Sequence, residues 1–254
     1  MIDLHCHVLH GVDDGPDRID QSIQLLKEAA TQGISTVCAT PHVDSWADGR
    51  TEMVLTDRLN QLRNAISRHN IKIEVILGSE IYFGVGIESI RSYRFSTLGG
   101  NGKYWLVEFS SEIFPSIVEN FVTKSMSWGI TPIIAHVERY SLLHLRPKYL
   151  KAIADAGALF QVDAGCFVGQ YGKRLQKRSE HLVTNGLCHV VASDAHDMVK
   201  KPIFMTGAYK AVRDLKGPKT AIRLFHDNPE AILRGMPIPS QRDKKMIPVE
   251  KPTS

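Results

Sequence analysis

Long apolar runs and cysteine are both scarce in this chain, and each shortage excludes a class of protein. No apolar run approaches the roughly 20 residues that a helix needs to cross a bilayer, and the first residues lack the charged, apolar and small-residue pattern of a signal peptide. We therefore expect no membrane insertion. The 4 cysteines are scattered, and three lie in or beside apolar runs, where cysteine is usually a small buried hydrophobe. This usage predicts a reducing, cytoplasmic location.

A strong excess of charge of one sign is also missing. The formal net charge is only +4, and the basic stretch Arg242 to Lys245 lies close to the C-terminus. A nucleic-acid-binding surface needs clustered basic residues, often interleaved with aromatic ones, and no segment has that pattern. The sequence therefore predicts no nucleic-acid partner, and it disfavours a nuclease.

The chain has 254 residues, which is the length of one typical (β/α) barrel. Its 43% hydrophobic and 23% charged residues are ordinary for a globular domain. From Pro237 onward, four prolines and a charged cluster are typical of a flexible segment rather than a packed element. We expect one domain over residues 1–236 and a flexible C-terminal tail over residues 237–254.

Several segments share one order: a helical pattern, a glycine, and then an apolar run that ends on polar residues. The glycines lie where the end of a helix favours left-handed backbone; they are Gly33, Gly129, Gly157 and Gly186. A buried parallel strand is expected to be a continuous apolar run, and repeated helix–strand units predict a parallel sheet. Seven such runs with intervening helices predict an α/β fold and favour a seven-stranded (β/α) barrel over an open sheet.

Side chains that bind metals or steer reactions stand at or just after the ends of these seven runs. The C-terminal ends of parallel strands meet at one rim of a barrel, where such enzymes build their active sites. His5 and His7 are two residues apart, so a strand directs both imidazoles to one face. The other ligand-type residues at strand ends are His42, Glu80, Glu108, His136, Asp194 and His196. The VDDGP loop adds Asp13 or Asp14, while Asp163, after the sixth run, receives no role.

The chemistry of this set predicts a metal centre. Imidazoles and carboxylates without cysteine suit divalent ions such as Mn, Fe or Zn. The set is too large for one ion, so two or three are expected, with Glu80 or Asp194 as a bridge. Ions about 3.5 to 4 Å apart can hold a bridging hydroxide and neutralise a phosphoryl group during in-line displacement. Hydrolysis of a phosphate ester is therefore the expected reaction.

Six motifs, in their order and spacing, resemble one family: MIDLHCHVLHGVDDGP, ATPH, GSEIYF, VEFS, PIIAHVERY and VVASDAHD. The chain resembles the PHP (polymerase and histidinol phosphatase) superfamily and, within it, the metal-dependent protein-tyrosine phosphatases of bacterial capsule and exopolysaccharide operons, the CpsB/YwqE type. The resemblance extends from Met1 to the DNPEAIL segment near Leu233. It implies a distorted seven-stranded, TIM-like barrel, the PHP fold, with two to three metal ions. Mn is the first expectation, and Fe or Zn are alternatives.

The resemblance also implies a role for each matching residue. The ligands form three sets, of which the first two share Glu80: His5, His7, Glu80 and Asp194; Glu80, Glu108 and His136; and Asp14, His42 and His196. Arg139, in HVERY, matches the arginine that holds the phosphoryl oxygens, and a planar guanidinium suits that role. The alternative is a surface pair with Glu138. Relatives often carry a second such arginine where this chain has Lys201, which would act as a point charge rather than a bidentate clamp.

The expected mechanism is attack of a metal-bridging hydroxide on phosphotyrosine, with the ions and Arg139 stabilising the phosphoryl oxygens. Asp14 or a bound water would protonate the leaving phenolate. A thiol mechanism is excluded, because no cysteine is followed six positions later by the arginine of a Cys-x5-Arg loop. Two alternatives remain: a histidinol-phosphate or other small-molecule phosphatase, and a non-catalytic metal-binding PHP module. The second is disfavoured because every ligand position is filled.

The resemblance alone implies the substrate. It is the phosphotyrosine tail of an autophosphorylating bacterial tyrosine kinase that controls capsular and exopolysaccharide synthesis. Trp46, Tyr82 and Phe83 are candidates for stacking on the phenol ring, and each could equally pack against the barrel. The segment Val43 to Thr51 is expected to be either a mobile lid over the site or an ordinary surface loop.

Overall fold

The computed structural model describes residues 1–238, and its framework is a set of parallel strands. The strands are β1 (Ile2–Cys6), β2 (Thr36–Ala39), β3 (His42–Val43), β4 (Glu74–Leu77), β5 (Glu80–Tyr82), β6 (Tyr104–Glu108), β7 (Thr131–Ile134), β8 (Leu159–Asp163) and β9 (Val190–Ala192). All pairs of neighbouring strands are parallel. The predicted parallel α/β fold is confirmed.

Helices connect most of these strands, as the sequence predicts. They are α1 (Ile19–Thr31), α2 (Gly49–Arg68), α3 (Pro115–Ser127), α4 (Pro147–Asp155), α5 (Ala164–Phe167), α6 (Lys173–Thr184), α7 (Met205–Lys216), α8 (Pro218–Ile222) and α9 (Asn228–Leu233). Gly33 and Gly129, which follow α1 and α3, both have φ of 77°, the left-handed geometry expected beyond a helix end. No helix within residues 1–238 combines the length and the apolar composition needed to span a membrane.

Two of the predicted strands are interrupted, and the hydrogen bonding is therefore divided between two sheets. Two residues separate β2 from β3, and two more separate β4 from β5. The first sheet has the order β1-β2-β4, and the second has the order β3-β5-β6-β7-β8-β9. One interruption contains Pro41, which has no N–H to donate to a neighbouring strand. A single seven-stranded barrel is thus not confirmed; the structure has a curled parallel sheet in two hydrogen-bonded parts.

The inner faces of the strands change from apolar to polar toward their C-terminal ends. A small buried cluster, here called the inner cluster, lies away from most of the helices and includes Ile2, Leu4, Leu106, Ile133, Leu159 and Val190. In β6, Leu106 is followed two residues later by Glu108, which shares its face. Asp194 follows Ala192 of β9 at the same spacing. In β1, a register irregularity between Asp3 and Cys6 interrupts the alternation of side chains between the two faces of the strand. The side chain of His5 therefore lies beside Glu80, on the same side as the other polar residues at the strand ends.

The predicted C-terminal tail falls mostly outside the described residues. From position 239 onward the tail lies beyond them, so its flexibility stays a prediction. The hydroxyl of Tyr104 donates to the carbonyl of Met236 at 2.7 Å, and Ile238 packs against the inner cluster. The chain is therefore still packed on the sheet at the predicted boundary after residue 236.

Gly78, in the interruption between β4 and β5, has no room for a side chain. A Cβ at this position would lie 2.8 Å from Leu98 Cδ2 and 3.0 Å from Cys38 Sγ. We expect Gly78→Ala to lower the free energy of unfolding by about 1–3 kcal/mol, because the added methyl overpacks the core. Gly49→Ala is the control, since its Cβ would meet only Tyr93 Cε1 at 4.0 Å. Urea unfolding of both variants checks the prediction, and equal stability of the two would contradict it.

Candidate metal centre

All nine predicted ligand residues converge on one site, and Glu80 lies at the centre of the group. Glu80 begins β5 and is 1% exposed. Its Oε2 lies 3.1 Å from His5 Nε2, 3.2 Å from His7 Nε2 and 3.2 Å from His42 Nδ1. Its Oε1 lies 3.0 Å from His136 Nε2. One buried carboxylate therefore contacts four imidazoles from three segments of the chain.

Three overlapping groups have ligand atoms that all lie within 4.8 Å of one another. They are His5, His7, Glu80 and Asp194; His7, Asp14, His42 and His196; and His42, Glu80 and Glu108. The first group is identical to the first predicted set. The second group is the predicted set of Asp14, His42 and His196 with His7 added. The third group has Glu80 and Glu108 as predicted, but it contains His42 in place of His136. His136 nevertheless borders it, with Nε2 3.4 Å from Glu108 Oε1.

The donor atoms in the first group fit a divalent cation. His5 Nε2 and His7 Nε2 lie 3.2 Å apart. Two neutral imidazole nitrogens at this distance compete for one proton, because only one of them can donate it to the other. The Nδ1 atoms face acceptors, Gln161 Oε1 at 3.2 Å and Asp13 Oδ2 at 2.7 Å. When each Nδ1 carries the proton, both Nε2 lone pairs point at the carboxylates. Glu80 Oε2, which is buried, has no hydrogen-bond partner among the described residues.

Burial lowers the pKa of His5, His7 and His136, but the neighbouring carboxylates outweigh burial and raise the pKa of all three, whereas Glu80 and His196 keep the charge states that metal ligands need. Burial would raise the pKa of Glu80, but the neighbouring imidazoles of His5, His136 and His7 lower it well below its usual value. Burial and the neighbouring His7 lower the pKa of His196 to about 4, so this imidazole is neutral at pH 7. An ionised carboxylate and a neutral imidazole are the ligand forms that bind a metal.

Asp13 and Asp14, which the sequence alone does not distinguish, occupy different positions. Asp13 Oδ2 accepts hydrogen bonds from His7 Nδ1 at 2.7 Å and from the backbone N–H of His42 at 3.1 Å. The side chain of Asp14 is 64% exposed, and its Oδ1 lies 3.2 Å from His196 Nε2 and 3.5 Å from His42 Nε2. Asp13 therefore orients two histidine residues, whereas Asp14 faces the open side of the second group.

Two candidate ligands lie on strained backbone. His136 and Asp194 have φ of 32° and 51°, in the left-handed region that non-glycine residues rarely adopt. Such conformations cost of order 1–3 kcal/mol each and persist only where their surroundings hold them. The backbone N–H of His136 donates to Gln161 Oε1 at 2.7 Å, and that of Asp194 donates to the carbonyl of His5 at 2.9 Å. These bonds hold both residues beside the centre.

Two basic side chains border the centre at its open side. Arg139 Nη2 lies 2.8 Å from Asp194 Oδ2, and Lys201 Nζ lies 3.6 Å from the same atom. Both are partly exposed, so their remaining donors reach solvent. Among the described residues, Arg139 forms ion pairs with Asp194 and the buried Asp163. The alternative pairing with Glu138 is wrong, because that carboxylate is fully buried and accepts from the backbone N–H of Asp163.

Comparison with known families assigns the chain. The family described as capsular polysaccharide synthesis, CpsB/CapC, matches residues 1–234. The chain belongs to the CpsB/CapC family. It is 31% identical over 239 residues to tyrosine-protein phosphatase CpsB of Streptococcus pneumoniae, covering 92% of this chain and 98% of that protein. It is 32% identical over 238 residues to tyrosine-protein phosphatase YwqE of Bacillus subtilis, covering 94% and 93%.

Solved structures agree with this family assignment. The crystal structures of YwqE from Bacillus subtilis and CpsB from Streptococcus pneumoniae, described as metal-dependent tyrosine phosphatases, match with a TM-score of 0.86 and 30% identity. The match covers 94% of this chain and 96% of that one. A histidinol phosphate phosphatase from Lactococcus lactis matches with a TM-score of 0.54 at 14% identity, covering 88% and 94%. This likeness shows the fold alone. The resemblance predicted from the six motifs is confirmed.

In this CpsB/CapC family member, three residues without a predicted role support the candidate centre: Asp13, Gln161 and Asp163. Gln161 contacts His5 and the backbone of His136, and its Nε2 donates to Asp163 Oδ1 at 2.9 Å. A signal is present in the sequence, because Gln161 is the polar residue inside the apolar run ALFQV and shares a strand face with Asp163. The assignment of each residue to an ion or to catalysis stays a prediction.

The segment Val43 to Thr51 has local order of its own. Asp44 Oδ1 accepts from the backbone N–H of Trp46 at 2.8 Å, which forms a tight turn after β3. Asp48 then caps α2 by accepting from the backbone N–H groups of Arg50 and Thr51. The segment is thus a turn followed by the first turn of a helix, and closure over the site stays a prediction.

Proposed function

We propose that the chain is a metal-dependent protein-tyrosine phosphatase, a hydrolase of phosphoric monoesters. The observation that carries this proposal is the convergence of nine ligand-type residues around Glu80, with Arg139 and Lys201 at the open side. The relatives named tyrosine-protein phosphatases support it, at about 30% identity over nearly their whole length. A histidinol-phosphate phosphatase is the second candidate, and the shared fold supports it. A non-catalytic module is disfavoured because the ligand set is complete.

We propose two to three divalent ions, with Mn as the first candidate and Fe or Zn as alternatives. The three overlapping groups support more than one ion, since Glu80 and His7 each belong to two of them. The mixture of imidazoles and carboxylates supports these metals. When bound, such ions supply positive charge to phosphoryl oxygens and lower the pKa of a coordinated water.

We propose that the two sheets together act as one distorted seven-stranded barrel within a domain of residues 1–236. Seven strands result if β2 with β3, and β4 with β5, are each counted as one interrupted strand. A parallel bridge between Cys6 and Ala195 connects the end of β1 with the segment after β9. In such a barrel the candidate centre lies at the C-terminal rim, where barrel enzymes carry out catalysis.

We propose that Arg139 and Lys201 bind the phosphoryl oxygens. The guanidinium of Arg139 is held by Asp163 and Asp194, so its orientation is set before substrate binds. Lys201 supplies a point charge, and its position is supported by Asp197, whose Oδ1 accepts from three successive backbone N–H groups ending at Lys201. Either Asp14, which faces the opening, or a bound water is proposed to pass a proton to the leaving phenolate.

A pocket beside the centre suits the tyrosyl ring. It has a volume of about 560 Å³ and shares His42 and Glu108 with the candidate ligands. Trp46 and Tyr82 also line it, and they are 87% and 45% exposed. Phe83 packs instead against two other phenylalanines, with ring centroids 4.8 Å and 5.2 Å away. We therefore propose that Trp46 and Tyr82, rather than Phe83, contact the phenol ring.

The proposed substrate is the phosphotyrosine tail of a bacterial tyrosine autokinase that controls capsular and exopolysaccharide synthesis. The description of the family as capsular polysaccharide synthesis supports this proposal. A cytoplasmic location is proposed with it, because such a kinase tail is phosphorylated where ATP is present. The free, buried state of all four cysteines supports a reducing compartment.

Hydrolysis of a phosphotyrosine peptide tests the proposed function. We expect turnover with Mn²⁺, loss of activity after chelation, and recovery when Mn²⁺ is added back, because bound ions would supply charge to the phosphoryl oxygens and lower the pKa of a coordinated water. Cys38→Ala is the control for a thiol mechanism and is expected to keep full activity. Faster turnover of histidinol phosphate than of the peptide would favour the second candidate. Full activity after exhaustive metal removal would contradict both.

Lys201→Ala tests the phosphoryl contact. We expect kcat/KM for the peptide to fall about 10- to 150-fold, since a hydrogen bond to a charged group contributes about 1.5–3 kcal/mol. Lys200→Ala is the matched control, because this neighbouring lysine is absent from the ion pairs around Asp194. Steady-state kinetics of both variants provide the measurement. Equal values for the two variants would show that Lys201 has no role in substrate binding.

Trp46→Ala tests the ring pocket. Aromatic contacts contribute about 0.5–1.5 kcal/mol, so we expect KM for the phosphotyrosine peptide to rise about 2- to 10-fold. Turnover of an alkyl ester such as glycerol phosphate should not change, because it has no ring to stack. Val199→Ala, at a residue 82% exposed on another loop, is the control. The same loss for both esters would argue against a ring contact.

A further inference from the structure

The side chain of Gln161 connects parts of the site that lie on different strands. It is 1% exposed and lies in the middle of β8. Its Oε1 accepts from His5 Nδ1 at 3.2 Å and from the backbone N–H of His136 at 2.7 Å. Its Nε2 donates to Asp163 Oδ1 at 2.9 Å. Both acceptor directions of this amide and one of its two N–H donors are therefore directed at residues around the candidate centre.

Asp163 determines which end of the amide faces His5. The carboxylate of Asp163 is fully buried and pairs with the guanidinium of Arg139, so its oxygens face donors and act as hydrogen-bond acceptors. The NH₂ group of Gln161 must therefore face Asp163, which turns the amide oxygen toward His5. The hydrogen-bond partners thus distinguish the oxygen of the Gln161 amide from its nitrogen.

The amide oxygen in turn determines the tautomer of His5. An amide oxygen has no proton to donate, so His5 Nδ1 must carry the proton of the neutral ring. The lone pair then lies on Nε2, which is 3.1 Å from Glu80 Oε2 and 3.3 Å from Asp194 Oδ1. The opposite tautomer would direct an N–H at the point where a cation is expected. Gln161 thus keeps the metal-facing nitrogen of His5 available.

The same oxygen holds the strained backbone of His136. The N–H of His136 points at Gln161 Oε1, and this bond supports a φ of 32°. Without this bond, the buried N–H would have no partner and the strain would favour a relaxed backbone. The imidazole, whose Nε2 lies 3.0 Å from Glu80 Oε1, would then move away from the centre.

We propose that Gln161 is a positioning residue of the metal centre, although it coordinates nothing itself: its oxygen fixes the proton of His5 and the backbone of His136. This inference rests on the metal centre of the proposed function but does not depend on phosphotyrosine as the substrate. Residues that orient metal ligands typically change metal affinity by 10- to 100-fold when they are replaced.

Titration with Mn²⁺ alone tests the inference. We expect Gln161→Met, which keeps the length of the side chain but cannot accept a hydrogen bond, to bind Mn²⁺ about 10- to 100-fold more weakly than the wild type. Gln161→Glu keeps an acceptor oxygen toward His5 and His136, but its other oxygen replaces the N–H that Asp163 accepts, so we expect it to recover only part of that affinity. Gln32→Met is the matched control. Gln32 also makes partly buried hydrogen bonds, to Ile203 and Thr206, at the far end of α1.

The outcomes separate the two proposals. A wild-type protein that binds no Mn²⁺ would overturn the metal centre and with it the proposed function. Wild-type binding that is unchanged in Gln161→Met, or reduced equally in Gln161→Met and Gln32→Met, would overturn only the role of Gln161. Urea unfolding of each variant accounts for losses that come from stability.

A measurement on the wild type keeps the inference testable if Gln161→Met does not fold. Nitrogen-15 NMR of the Zn²⁺-loaded protein reports which imidazole nitrogen carries a proton. We expect His5 to be protonated at Nδ1. A proton on Nε2 would overturn the inference.

Discussion

The buried carboxylate of Glu80 is the constraint on which the rest of the site depends. It is 1% exposed, and nitrogen atoms of three histidines surround its Oε2 at 3.1–3.2 Å. A buried charge without a partner costs several kcal/mol, so the ends of β1, β3 and β5 are stable together only around compensating positive charge. Protonated imidazoles can supply that charge, but protonation occupies the lone pairs that would bind a metal. A divalent cation supplies it and uses the same lone pairs as ligands.

The residues behind the candidate ligands explain how so many polar groups remain ordered in the sheet. Asp13 accepts from His7 and from the backbone of His42, and Gln161 contacts His5 and Asp163. A buried polar network stabilises one arrangement only when nearly all of its members have partners. Here Gln161 and Asp13 also leave the Nε2 atoms of His5 and His7 directed at the carboxylates. The interactions that satisfy the buried groups are therefore the same ones that prepare a site for metal ions.

The sequence predicted most of the ligand set because each ligand follows an apolar run, and such runs mark buried parallel strands. Glu108 and Asp194 are examples: both continue the inner face of a strand by the two-residue alternation. The left-handed backbone of His136 had no local signal, since glycine is the residue that usually marks such a position. The division into two sheets and the separate positions of Asp13 and Asp14 also depend on hydrogen bonds between distant segments. Gln161 did leave a signal, as a polar residue within an apolar strand.

The most direct measurement is anomalous X-ray diffraction from crystals of the protein grown with Mn²⁺, recorded at the manganese absorption edge. Because Glu80 belongs to two of the overlapping groups, we predict at least one anomalous peak within coordination distance, about 2.0–2.3 Å, of a Glu80 carboxylate oxygen. A second peak is predicted beside His42 and Asp14. The absence of any peak around Glu80, in crystals whose histidines retain these positions, would contradict the conclusion that this carboxylate organises a metal centre.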